Sequence, residues 1–425
     1  MNIKLIILLL VSSTLLSQDK YIHAGKIYDS YLGKFESNKT IIISDNIISS
    51  VEDGFIEPRN NNIELYDLKN KVLIPGLIDF HVHMESESGG KEKYINRFQD
   101  SKEDIAFKST VIAKKTLLAG FTTVRDVGGS GVNIALRNAI NNGLVDGPRI
   151  FTSGKTIATT GGHGDPTNGY RPDLINDPGP EEGVVNSIDD AKKAVRYRYK
   201  NGADLIKITA TGGVMSMAKN GQNPQFTEEV IRAIVTTAND YGMHVAAHAH
   251  GDEGMFRAVK AGVKTIEHGS IMKERTMRLM KEKNTYLVPT ISAGEHVAKM
   301  AGIPGYYPEI IIPKALEIGV QNKLSTKKAY EMGVPISFGT DAGVFPHGDN
   351  AGEFVYWDEI GIPAEFSLRA ATVTNAKLLN MENLLGQIKK GFYADIIATN
   401  ENPIESISTL ENIIFVMKDG KVYKE

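Results

Sequence analysis

The apolar positions fall into short runs punctuated by turn residues, and the two ends of the chain share one style. After residue 20 come the β-type runs KYIHAGKIYD, KTIIISDNIISSV and NIELYDLKNKVLI, parted by Asn, Asp and Gly. The C-terminal stretch has ADIIATN, NIIFVMKDG and KVYKE, where KDGK is a hairpin turn signal. This likeness predicts that both ends pair into one small β-domain, with the middle of the chain inserted between them.

In the middle, strand-like and helix-like patterns alternate. Eight strands are predicted at residues 77–82, 121–126, 149–153, 205–210, 244–248, 265–268, 286–290 and 336–340. Helical periodicity fits 104–118, 188–201, 227–241, 252–261 and 316–332 between them. Eight apolar runs, each followed by helical or loop sequence, predict an α/β fold of the (β/α)8 barrel type. A doubly wound sheet is the alternative, and it leaves the placement of the polar residues unexplained.

The first residues read differently. One positive charge in the first four residues precedes LIILLLVSSTLL, and Ser17 and Gln18 follow. This is the pattern of a secretory signal peptide over residues 1–17. Twelve residues rise about 18 Å as a helix, short of a ~30 Å hydrocarbon core, so a membrane span is the poorer reading. The expectation is a secreted or periplasmic protein with no membrane association after cleavage.

Composition narrows the chemistry. The chain has 425 residues, 41% hydrophobic and 23% charged, as globular proteins do. A net charge of -3 gives no electrostatic case for nucleic acid or an anionic membrane as partner. The absence of cysteine excludes disulfides, thiolate zinc sites, iron–sulfur clusters, cysteine nucleophiles and a lipid-modified N-terminal cysteine. Any metal must be held by nitrogen and oxygen, so the positions of the ten histidines matter most.

Barrel chemistry concentrates at the C-terminal strand ends. The first predicted strand runs into His81 and His83, which share one side of an extended segment. Lys207 lies in the fourth strand, His248 ends the fifth, His268 ends the sixth, and the eighth leads into Asp341. Taken singly, each has a plain reading: a hydrogen-bonded structural histidine, an interior ion-pair lysine, a turn aspartate. Taken together, this order on five of the eight predicted strands points to a metal site. Burial costs an ammonium in an apolar strand, and a neutral amine can combine with carbon dioxide. The resulting carbamate has two oxygens and can bridge two cations.

The segments IPGLIDFHVHM, GFTTVRDVGG, TGGHGD, GADLIKITATGGV, VAAHAHGDEG, VKTIEHGS, ISFGTDAG and GQIKKGFYADIIA resemble the amidohydrolase superfamily. Within it the chain is similar to the prolidase-like binuclear metallocarboxypeptidases, a group related to imidazolonepropionase and to ochratoxin-hydrolysing amidases. The resemblance implies a distorted TIM (β/α)8 barrel over residues 75–382. It also implies a composite β-sandwich from residues 18–74 and 383–425. It further implies two divalent metal ions, usually zinc. His81 and His83 would bind the more buried ion, and His248 and His268 the second. Lys207, N-carboxylated, would bridge both, and Asp341 would bind the first ion and shuttle protons.

The resemblance extends to one pocket position, His250, and placement along the chain adds further candidates. His250 would touch the scissile group or the substrate carboxylate, and a supporting hydrogen bond is the equal alternative. His163 would bind the terminal carboxylate, with Tyr170 and Arg171 as further substrate-binding candidates. Arg125 and Asp126 read either as an internal ion pair or as substrate contacts, and His347 as near enough to line the pocket. Residues 84–103 form either a lid or a surface excursion.

The implied activity is hydrolysis of the amide bond of a dipeptide or N-acyl amino acid by hydroxide held between the metals. An aryl-amide amidase of the ochratoxin-hydrolysing type is the near alternative. A cyclic-amide hydrolase or deaminase is more distant, and a non-catalytic peptide receptor more distant still. A small peptide or N-acyl amino acid is the expected partner, and the group suggests a homo-oligomer.

Overall fold

The computed structural model describes residues 19–425, residue 88 aside. The stretch 1–17, read above as a signal peptide, lies outside the described residues. Fourteen strands and a series of helices follow. The first four are β1 (Lys20–Asp29), β2 (Lys34–Ser44), β3 (Ile47–Asp53) and β4 (Glu64–Pro75). The barrel strands are β5 (Leu77–Val82), β6 (Phe121–Asp126), β7 (Arg149–Thr152), β8 (Ile206–Thr209), β9 (Val245–Gly251), β10 (Thr265–Ile271) and β11 (Tyr286–Val288). The chain ends in β12 (Ile396–Thr399), β13 (Phe415–Lys418) and β14 (Lys421–Lys424).

The two ends of the chain do form one sheet, in the order β14-β13-β12-β4-β1-β2-β3. The junction is β12, which pairs antiparallel with β4 from Ile396↔Pro75 to Thr399↔Val72. A single apolar cluster takes Ile22, Ile41 and Ile48 from one wing and Ile396, Phe415 and Met417 from the other. The sheet therefore folds over on itself. Its outer edge at β3 meets the approach to β12, where Ile48 N–H donates to the Phe392 carbonyl at 2.9 Å. The sandwich is thus one continuous sheet rather than two separate ones.

Only Gly76 separates β4 from β5. A Cβ there would lie 2.2 Å from the Thr122 hydroxyl, so the chain can cross from sheet to barrel only with glycine. Arg149, at the start of β7, bonds Asp395 at 2.8 Å and Asp419 at 2.5 Å, tying barrel to sheet.

The barrel closes irregularly. Strands β5-β6-β7 form one parallel sheet and β8-β9-β10-β11 another. Between them, Ile157 N–H donates to the Lys207 carbonyl and Thr209 N–H to the Ile157 carbonyl. On the other side, the predicted strand at 336–340 is not a regular strand. It still bonds to both neighbours: Ser337 N–H to Leu287, Phe80 N–H to Phe338, and Asp341 N–H to His81 at 2.7 Å. Side chains replace part of its ladder. The Asp79 carboxylate accepts from Thr340 N–H at 3.1 Å and from its hydroxyl at 2.6 Å. This is why a period-two pattern there does not become a regular strand.

The helices cover the barrel: α1 (Glu92–Gln99), α2 (Lys102–Leu118), α3 (Val132–Asn141), α4 (Ile188–Lys200), α5 (Glu228–Asp240) and α6 (Asp252–Ala261), then α7 (Glu274–Lys283), α8 (Ile291–Ala301), α9 (Ile312–Glu331) and α10 (Gly352–Glu359). Among the described residues no helix is long and apolar enough to cross a membrane.

Candidate metal centre

Strand β5 (LIDFHV) is buried along its whole length, so any polar group on it needs a partner. His81 has one in Glu267: its Nδ1–H donates to the carboxylate at 2.7 Å. His83, just past the strand, donates from Nδ1 to the Gly128 carbonyl at 2.7 Å. Asp126 fixes that carbonyl by accepting from Gly128 N–H at 3.1 Å and Met84 N–H at 3.0 Å. The remaining nitrogens face Asp341. His81 Nε2 lies 3.5 Å and His83 Nε2 3.3 Å from Asp341 Oδ1.

These atoms test whether a cation fits. His81 Nε2 and Asp341 Oδ1 are buried with no hydrogen-bond partner among the described residues. Burial pushes the His81 pKa down to about 4, so Nε2 is a bare lone pair. A lone pair facing a carboxylate oxygen in a buried site is costly unless a positive charge sits between them. The donor atoms of His81, His83 and Asp341 lie within 4.8 Å of one another, and their nitrogen and oxygen chemistry suits a divalent ion. Burial also works against the charged form of His83. The Asp341 carboxylate outweighs it and holds His83 above the ordinary histidine value. Burial would raise Asp341, but His81, His83 and Lys207 hold it below the usual carboxylate range.

A second group stands beside the first. The rings of His81 and His268 are 5.0 Å apart, His268 and His248 4.7 Å, and His248 and His250 4.7 Å. His248 Nε2–H donates to the Gly212 carbonyl at 3.0 Å, so its free nitrogen is Nδ1, the reverse of His81. His268 Nδ1 bonds the Thr290 hydroxyl at 2.7 Å, and His250 Nδ1 bonds the Ser270 hydroxyl at 2.9 Å. Burial, with the neighbouring imidazoles, holds His248 and His268 well below the ordinary value, the neutral form that binds metal. Lys207 is 4% exposed, and among the described residues its ammonium has no hydrogen bond or ion-pair partner. Burial, against the nearby carboxylates of Glu267 and Asp341, pushes it down to about 8.

All six candidate ligands line one cavity of about 300 Å³, together with His250 and His163. His163 stacks on His248 at 4.4 Å, and its Nδ1 is buried without a partner among the described residues. Its seat requires glycine at 213, where a Cβ would lie 2.3 Å from the ring. Ser86 and Lys93, from the stretch 84–103, also line this cavity.

Three expectations are corrected. Tyr170 and Arg171 do not reach the cavity. The Asp165 carboxylate accepts from Gly161 N–H and Thr167 N–H and curls the loop away after His163. Tyr170 packs on Phe98 at 4.7 Å, and Arg171 is exposed and paired with Asp173 at 2.6 Å. His347 is buried behind the site, bonding the Thr116 hydroxyl at 2.9 Å and the His83 carbonyl at 3.1 Å. Arg125 pairs not with Asp126 but with Glu267, at 2.8 Å.

Glu267 itself was not singled out from the sequence. It stands inside the barrel, where burial would raise its pKa. Arg125, His81 and Lys207 outweigh burial and hold it far below the usual carboxylate range. The sequence signal was available: an acid inside the predicted strand 265–268, next to His268. Thr290 had no such signal. It is held from both sides, for Asn322 Nδ2 donates to the Pro289 carbonyl at 2.7 Å. Glu353 accepts from Ile291 N–H at 2.9 Å and Ser292 N–H at 2.7 Å. Thr290, His268 and Asp341 all have left-handed backbones, with φ of 54°, 72° and 62°. Such residues cost roughly 1–3 kcal/mol each and cluster at active sites.

Comparison with known proteins agrees with this geometry. The amidohydrolase family model matches residues 72–423. The ochratoxinase of Aspergillus niger is 31% identical over 98% of this chain and 89% of its own length. A solved Xaa-Pro dipeptidase with methionine bound in its active site is 52% identical, with a TM-score of 0.93 over 96% of this chain and 100% of that one. A prolidase complexed with N-methylphosphonate-L-proline is 31% identical, with a TM-score of 0.88 over 96% and 100%. The chain belongs to the amidohydrolase family, among its prolidase-like and ochratoxinase-like members, and is a hydrolase of amide bonds.

Proposed function

We propose that the protein uses two divalent cations to hydrolyse the amide bond of a dipeptide or N-acyl amino acid. The observation that carries this is the buried lone pair of His81 facing the unpartnered Asp341 oxygen, in one cavity with Lys207 and five further imidazoles. His81, His83 and Asp341 would hold one ion, and His248 and His268 the other. Lys207, N-carboxylated, would serve both. All-nitrogen-and-oxygen ligation of this kind suits zinc. Bound there, the cations polarise the scissile carbonyl and make water a nucleophile at neutral pH.

The rest falls to the chain. Asp341 is ionised in the resting site, so it takes the proton of the attacking water and returns it to the leaving amine. His250, steadied by Ser270, and His163, with its unpartnered Nδ1, present neutral imidazoles to the substrate's carbonyl and carboxylate. Glu267 and Arg125 keep His81 in the tautomer whose Nε2 faces the site.

The choice of substrate class rests on the relatives, a Xaa-Pro dipeptidase, a prolidase and an ochratoxinase. The last favours aryl-amide hydrolysis as the second reading. The test is the zinc-loaded protein against a library of dipeptides, N-acyl amino acids and aryl-amides. Release of the C-terminal amino acid is expected. Activity undiminished after metal removal would overturn the mechanism. We also propose export after removal of residues 1–17 and assembly into homo-oligomers. Mass spectrometry of the mature N-terminus and light scattering check these.

A further inference from the structure

The cavity has two unlike ends. One carries the imidazoles, Lys207 and Asp341. The other is walled by Val297 of α8, Ala315 of α9, Val214 and Val344, which pack in one apolar cluster, with Ala293 and Ile318 on the same helices. Asn322 of α9 also lines the cavity, its amide engaged by the Pro289 carbonyl. Helices α8 and α9 approach through glycine. A Cβ on Gly319 would lie 2.8 Å from the Gly294 carbonyl, so the two backbones nearly touch. That contact closes the apolar end with main chain and small side chains.

Charge is as informative as shape. Among the described residues that line the cavity, Asp341 is the sole acid, and it faces His81 and His83. Two lysines line the cavity, Lys207 and Lys93, and Lys93 Nζ donates to the Gly343 carbonyl at 3.3 Å. A basic substrate side chain at the apolar end would be buried without a counter-charge, which is strongly unfavourable. An uncharged apolar side chain would lose only water. The cavity, about 300 Å³, is at the small end for small-molecule sites, which suits a substrate of dipeptide size.

We infer that this apolar chamber between α8 and α9 is a specificity subsite for an uncharged, apolar side chain of the substrate, and that it excludes basic side chains. The assignment rests on the amide-hydrolase reading above. Ile318 and Val214 set its character by lining it with branched apolar side chains. The buried Lys314 ammonium, which donates to the Gly213 and Ser216 carbonyls of the Val214 loop, adds a further positive charge that disfavours a basic side chain.

The test uses zinc-loaded full chain and matched dipeptides that differ in one side chain: Leu, Met, Phe, Glu, Lys and Arg, at each of the two positions. At the position that fills the chamber, the apolar members should exceed Lys and Arg in kcat/KM by at least ~100-fold, the order expected for an unpaired buried charge. Val214→Asp should raise the Lys-to-Leu ratio tenfold or more. Ile318→Ala should move the preference from Leu toward Phe. Val214 is half-buried on a loop, and metal content and melting temperature verify that both variants fold. Equal turnover of Lys and Leu members by the wild type, or fastest turnover of Glu, would overturn the subsite while leaving the reaction intact. No turnover of any member would overturn the reaction, and the subsite with it. Binding of free leucine but not lysine by calorimetry gives a second readout that needs no turnover.

Discussion

Lys207 is the residue on which the site's charge balance turns. Its ammonium is buried beside a cluster that would itself receive cations, so it must leave the cavity or change form when metal enters. Lys207→Ala should lower bound metal from two ions per chain toward one and nearly abolish activity; metal analysis by mass spectrometry reads the first. His83 gives a pH prediction with a definite sign. Asp341 holds it above the ordinary histidine value, whereas burial keeps His81, His248 and His268 below it. A protonated imidazole cannot bind metal, so affinity should fall as pH drops through the His83 value. At slightly acidic pH, loading should release one proton at His83 rather than four. Calorimetry in buffers of different ionisation enthalpy, carried out on the carbon dioxide-free protein, counts that proton. At this scale the sequence was most legible, since six ligand candidates stood at fixed points of recognisable segments. The wrongly placed residues, Tyr170, Arg171 and His347, were those whose only support was nearness along the chain.

At the scale of elements, the ligands owe their aim to helices that carry no ligand. Helix α8 begins at a strained Thr290, whose hydroxyl orients His268, and Asn322 of α9 and Glu353 of α10 hold that turn from opposite sides. Thr290→Val keeps the shape and removes the hydrogen bond. Affinity for the more weakly held ion should fall ~10–100-fold, the usual effect of losing a supporting contact, with a small change in melting temperature. The visible spectrum of the cobalt-substituted protein should shift as well. Burial raises the Glu353 carboxyl to about 7, against the N–H donors of Ser292, Ile291 and Trp357, which favour its charged form. A carboxyl raised in the folded state contributes stability that is full below its unfolded value and is lost as pH rises through 7. The metal-free wild type should therefore lose roughly 2–3 kcal/mol relative to Glu353→Gln between pH 5 and 8, measured by denaturant unfolding. None of this was legible in sequence. The partners lie on different helices, and nothing local marks Asn322 or Glu353 as more than ordinary helical residues.

For the whole molecule, the sheet and the barrel are one mechanical unit. Strand β4 continues into β5 across a single glycine, and β12 from the far end of the chain lies against β4. Removing residues 396–425 would strip β4 of that neighbour and expose the Ile396, Phe415 and Met417 side of the core. The truncated chain should be insoluble or lack cooperative unfolding, as circular dichroism and soluble yield would report. Arg149 adds a charge link, since loss of Asp395 and Asp419 would leave its guanidinium without a counter-charge, held only by the Thr123 hydroxyl and the Tyr393 ring.

The sequence by itself determined the class of fold, the pairing of the two ends and the identity of the candidate ligands. Those depend on period, on turn residues and on donor chemistry, all of which are local. Only the tertiary structure decided which nitrogen of each imidazole is free, that Glu267 rather than Asp126 answers Arg125, and that one end of the cavity is apolar and without a spare acid. Each of these is set by groups that meet from distant strands and helices. Local pattern carries no information about such meetings until the barrel closes.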